Sequence, residues 1–156
     1  MPANQDHALD VIAIGRSSVD LYGQQIGSRL EDIATFSKSV GGCPANIAVG
    51  TARLGLKSGL ITGVGAEQMG RFIIEQCARE GVATQGIKID KERLTALVLL
   101  AVEDEGVSPM IFYRPDCADM AITEDDVDEA FVRSSKSVLV SGTHFSRPNT
   151  AAAQLK

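Results

Sequence analysis

Short apolar runs closed by glycine recur along the chain, and stretches with helical spacing lie between them. Residues 10–15 (DVIAIG), 58–63 (SGLITG) and 136–142 (KSVLVSG) have this form. An apolar run without polar alternation suits a strand buried on both faces, so the three predict parallel strands. A helix is predicted over 45–54, with Ala45, Ala48, Val49 and Ala52 on one face, Pro44 in the first turn and Gly55 beyond the end. Residues 70–80 repeat the scheme with Phe72, Ile73 and Cys77 apolar and Gly81 as the stop. A third helix is predicted over 124–133, with Thr123 as N-cap and acidic residues in its first turn. That acidic run lacks the central glycine and ligand alternation of a calcium loop and reads as a solvated helix start.

Strands alternating with helices imply an α/β fold with a parallel sheet covered on both faces. Residues 35–40, 84–89, 95–102 and 111–114 depart from this. They are β-branched and aromatic with no helices between them, which predicts a small antiparallel or mixed flap. At about 150 residues per domain, 156 residues make one domain or a piece of a larger one. The first residues, 1–9, form a polar tail with no basic or apolar segment of a signal peptide. The longest apolar run, 96–102, is too short to cross a bilayer. With 15 Lys+Arg against 20 Asp+Glu and no basic block, nucleic acid and anionic membrane are excluded as main partners. Cys43, Cys77 and Cys117 form no CxxC pair, and His7 and His144 stand far apart. This set predicts cytoplasmic thiols and no metal cage.

Ligands of open parallel sheets bind beyond the carboxyl ends of the strands. Here those ends carry 15–20 (GRSSVD), 41–46 (GGCPAN), 63–65 (GVG) and 141–144 (SGTH). Gly41-Gly42 has two readings: a tight entry into a helix, or bare backbone that lets a ligand approach a helix N-terminus. Asn46 carries an amide that both donates and accepts, and Asp20 a carboxylate that accepts from hydroxyls. Together these suit a polyol such as a sugar. A dinucleotide site would need G-x-G-x-x-G, of which 15–20 supplies only the first glycine.

The spacing is more specific than any one residue. Gly41-Gly42-Cys43-Pro44-Ala45-Asn46-Ile47-Ala48, then Gly55 and Gly65, resembles at each fixed position the N-terminal pattern of the PfkB (ribokinase-like) carbohydrate kinases. Residues 65–70 (GAEQMG) resemble the family's G-x-D-x-x-G segment, with Glu67 in place of Asp. The likeness runs from about residue 10 onward. Within the family, 15–23, 40–50 and 112–127 are most similar to its sugar-acid kinases.

The resemblance implies a ribokinase-like parallel sheet flanked by helices, with a β-lid from about 16–41 and 84–114. It implies transfer of the ATP γ-phosphoryl, with Mg2+, to a hydroxyl of a small-molecule sugar acid, and a homodimer formed through the lid. Asp20, Gly41, Gly42 and Asn46 would bind the substrate. Arg114 would face its carboxylate, a partner that suits a guanidinium fork. On its residues alone, Arg114 is equally a surface arginine of a flap strand. Arg16 and Lys38 are further cations for that end, and His144 either lines the pocket or is structural.

The family's second pattern, D-T-x-G-A-G-D, supplies the phosphate cradle and the general-base Asp, and this sequence does not contain it. Residues 10–156 are therefore expected to be the sugar-binding portion, truncated before the ATP-binding half. That portion should hold no catalytic residue and transfer no phosphoryl group alone. Two alternatives stay open: a different sugar (2-keto-3-deoxygluconate, fructose or ribose), or a non-catalytic interaction role. An interrupted sheet also predicts an unpaired edge.

Overall fold

A computed structural model describes residues 7–102 and 109–156. Its strands are β1 (Leu9–Ile14), β2 (Ser18–Gly23), β3 (Phe36–Gly41), β4 (Ser58–Gly65), β5 (Ile87–Asp90), β6 (Leu97–Leu100), β7 (Met110–Tyr113) and β8 (Ser135–Val140). The α-helices are α1 (Cys43–Arg53), α2 (Gln68–Arg79), α3 (Glu129–Arg133) and α4 (Pro148–Leu155). One sheet, of order β5-β4-β1-β8, is parallel throughout. The other, β3-β2-β6-β7, is mixed, with β2 and β6 parallel and both outer pairs antiparallel.

Every residue of β4 is buried, as a central strand covered on both faces requires. Alternate residues of β1 feed two cores. Ala13 packs with Ala45 and Ala48 of α1 and Ile73 and Cys77 of α2. Ile12 and Ile14 face the other way, toward Ile122, Phe131 of α3 and Ala153 of α4. The sheet is thus sandwiched between helices, its largest favourable term being this apolar burial. No described helix is long and apolar enough to cross a membrane.

Three expectations are corrected. Residues 84–89 do not join the flap: β5 pairs with β4 through Thr62–Ile87 and Val64–Ile89, as the ordinary β-α-β successor after α2. The helix predicted over 124–133 is two pieces. Thr123 and Asp126 form a capping box around a three-residue 3-10 turn, Val127 turns inward, and Asp128 caps α3 through the Ala130 N–H at 2.8 Å. The polar tail is shorter than predicted: residues 1–6 lie outside the described residues, and Leu9 already belongs to β1.

The second sheet occupies the predicted flap elsewhere, although residues 103–108 of that stretch lie outside the described residues. All four residues of β7 are exposed, as are Val138 and Val140 of the edge strand β8.

Candidate functional site

Chain order places the site. From β1 the chain moves outward to β4 and then β5, and it returns to β8 on β1's other side. Such a reversal opens a crevice at the carboxyl ends of the two diverging strands. Gly15 ends β1 there, and a Cβ on it would lie 2.7 Å from Pro44 and 3.0 Å from Ser141. The first turn of α1 and the end of β8 therefore meet at one point. Ser17 closes the layer from behind, its hydroxyl 3.0 Å from that of Thr62.

Above this point the mixed sheet begins. Asp20 of β2 is half-buried, and its Oδ1 accepts from the Ser18 hydroxyl at 2.8 Å. Its carboxylate lies on the backbone of Gly41, where a Cβ would fall within 2.2 Å of both carboxylate oxygens. Gly42 precedes α1 with φ +95°, a conformation that favours glycine, and a Cβ there would lie 2.4 Å from the Arg16 carbonyl oxygen. Both readings of the glycine pair therefore apply. The turn is tight, and its bare backbone is what gives the Asp20 carboxylate room.

The structure brings Arg16, Asp20, Gly41 and Gly42 into one corner. Asn46 is exposed in the first turn of α1, beside a groove shared with Lys38, Ser39, Val40 and Phe72, and its side-chain amide makes no hydrogen bond to a described residue. Lys38 lines the Asn46 groove and not the Asp20 face. It pairs across the strands with Leu21, whereas Asp20 pairs with Ser39, so the two side chains leave opposite faces of the sheet. Lys38 Nζ sits 3.9 Å from the centre of the Phe72 ring on α2.

Arg114 is occupied. Its Nε and Nη2 donate to Oδ2 of fully buried Asp119 at 2.9 and 2.5 Å. A carboxylate with no water access demands a cation, so Arg114 holds Asp119 through these two donors. His144 joins this buried pair, with Nε2 3.4 Å from the same oxygen, and is structural rather than pocket-lining. Asp119 Oδ1 has no partner among the described residues.

Sequence reasoning missed the role of Glu67. Its carboxylate caps α2, accepting the Met69 N–H at 2.5 Å, and also accepts the N–H and hydroxyl of Thr95. Its extra methylene over the family's Asp gives it reach toward that loop. Burial pushes its pKa up, but these donors outweigh burial and the net shift is downward. Because the folded value is depressed, the stabilisation is present above the unfolded carboxylate pKa and is lost as pH falls through the folded one. Thermal melts should show Glu67→Gln destabilised at pH 7, with the gap to the parent closing toward pH 3. A gap of constant size would remove the ionised carboxylate from this account.

Comparisons with known proteins give the family and the fold. Residues 8–155 match the pfkB family carbohydrate kinase description. The chain belongs to the pfkB family of carbohydrate kinases. It is 40% identical over 144 residues to a 5-dehydro-2-deoxygluconokinase of Geobacillus kaustophilus, covering 92% of this chain and 43% of that protein. A sugar kinase from Pyrococcus horikoshii, solved with ATP, superposes with TM-score 0.86 at 31% identity, over 93% of this chain and 47% of that one. An E. coli structure bearing the name ribokinase II, with ATP and Mg2+, shares the fold at TM-score 0.87 and 23% identity, over 95% and 47%. The chain thus spans about half the length of the pfkB relatives it matches.

Proposed function

We propose that this chain is the sugar-binding part of an ATP-dependent kinase that phosphorylates a terminal hydroxyl of 5-dehydro-2-deoxy-D-gluconate, a step of myo-inositol catabolism. The observation that carries the reading is the Asp20 carboxylate resting on the bare backbone of Gly41 at the crevice. Asp20 has acceptor capacity left after Ser18 and takes substrate hydroxyls, and Asn46 meets the sugar from the first turn of α1. The names of the curated relatives, and the sequence likeness in 15–23 and 112–127, favour the sugar acid over neutral sugars.

ATP and Mg2+ supply the phosphoryl group and neutralise its charge when bound. Among the described residues no group of three or more His, Cys, Asp or Glu is placed to hold a metal. Because the sequence holds no D-T-x-G-A-G-D segment to cradle the phosphates and supply the base, the 156-residue chain alone should bind the sugar acid and turn over little or no ATP.

Calorimetric titration with 5-dehydro-2-deoxy-D-gluconate, 2-keto-3-deoxygluconate, fructose and ribose tests the assignment. The first should bind tightest, and Asp20→Ala should abolish the heat. Equal binding of fructose, or full binding by the variant, would overturn it. The reading includes a homodimer through the exposed β7 row, so light scattering on the same samples should give twice the chain mass.

A further inference from the structure

Arg16 stands where β1 passes into β2, and its guanidinium carbon lies 5.7 Å from the centre of the Phe112 ring. Its Nε is buried and lacks a hydrogen-bond partner, and Arg16 makes no ion pair among the described residues. By contrast, Arg53 is matched by Glu80, Arg93 by Asp90 and Asp116, and Arg114 by Asp119. Native structures rarely leave a buried charged donor without an acceptor, because its desolvation is then uncompensated.

Register puts Phe112, the ring beside this donor, on the sheet face that carries Asp20. Asp20 pairs with Val98 of β6, and Val98 pairs with Phe112 of β7, so all three project from one face of the mixed sheet. Phe112 thus offers its ring to Arg16 on the face that carries Asp20. Gly42 packs against the Arg16 backbone from the other side. One corner therefore holds a hydroxyl acceptor, bare backbone and a cation with an unused N–H.

We infer that Arg16 is the residue that selects acidic sugars. Its Nε–H and the adjacent N–H of the fork receive the substrate carboxylate, while Asp20 takes a hydroxyl of the same molecule. Phe112 holds the guanidinium plane in place, and Arg114, already neutralised by Asp119, contributes little net field. The inference rests on the proposed reading of this corner as a sugar-acid site.

The test titrates the 156-residue chain, 15N-labelled in arginine, with 5-dehydro-2-deoxy-D-gluconate and separately with its C1 amide. The acid should bind about 10- to 100-fold more tightly, the range of a charge-assisted pair. The Arg16 Nε–H resonance, assigned by its absence from Arg16→Lys, should move with the acid and not with the amide. Arg16→Gln should lose the preference while keeping amide affinity, Arg16→Lys should retain part of it, and the double variant Arg114→Leu/Asp119→Leu should keep it whole.

An unmoved Arg16 resonance in the parent protein, or a full preference in Arg16→Gln, would place the carboxylate elsewhere and overturn the inference alone. Equal affinity for acid and amide would overturn it together with the sugar-acid assignment but leave a polyol site. Binding of neither would overturn the proposed function as well.

Discussion

Alanine in place of Asp119 should lower stability by about 3 kcal/mol, because it leaves the buried Arg114 guanidinium without its counter-charge. Breaking one side of a buried pair costs about 3–5 kcal/mol; the lower end applies because Arg114 keeps 16% of its side chain exposed. The loss should appear as a lower urea midpoint at unchanged slope. Removing both charges tells a pair from a lone buried acid. Arg114→Leu/Asp119→Leu should recover most of the loss, since an apolar pair of similar volume replaces a buried ion pair at little net cost. A double variant as unstable as Asp119→Ala would show that the turn itself, not the charge pairing, depends on Asp119. That turn matters to the site: the Ala118 carbonyl lies where a Cβ on Gly63 would fall at 2.4 Å, so the turn packs directly on β4.

The sheet and the first two helices were legible because burial on both faces leaves a plain mark on sequence. β1 carries an apolar run over 11–14, β4 one broken only by Thr62 after its first residue, and α1 is bracketed by Pro44 and Gly55. β2 was legible only as part of the lid segment. Ser18 and Asp20 interrupt its apolar pattern because that face carries the candidate site. That Lys38 lies beside Asn46 and not beside Asp20 was not legible. With a period of two, a cation at 38 and an acid paired with 39 cannot share a face, and only the observed pairing shows it. The Arg114–Asp119 pairing left no mark at all. It depends on a loop that folds an acid back under the end of β7, and no helical or strand period joins positions five apart there. Asp20, Gly41 and Gly42 were readable through spacing, since what they do depends on backbone approach, which demands glycine at fixed positions.

That same dependence makes Gly42→Ala the second severe substitution, expected to cost about 3 kcal/mol and to abolish sugar binding together. At φ +95° and ψ 129° the backbone lies in a region open mainly to glycine, and holding a side chain there costs about 1–3 kcal/mol. The added Cβ would also lie 2.4 Å from the Arg16 carbonyl oxygen and 2.9 Å from the Ser17 Cα. Those are backbone atoms, so no rotamer change relieves the contact, and forced repacking adds about 1–3 kcal/mol. Gly41→Ala provides the contrast. Its Cβ meets the Asp20 side chain, which can swing away, so this variant should melt near the parent temperature yet lose binding with the carboxylate displaced. Thermal denaturation and calorimetric titration of the two variants separate the effects. If Gly42→Ala melts and binds like the parent, the strained turn does not shape the site. If Gly41→Ala binds normally, the Asp20 carboxylate is not what receives the sugar.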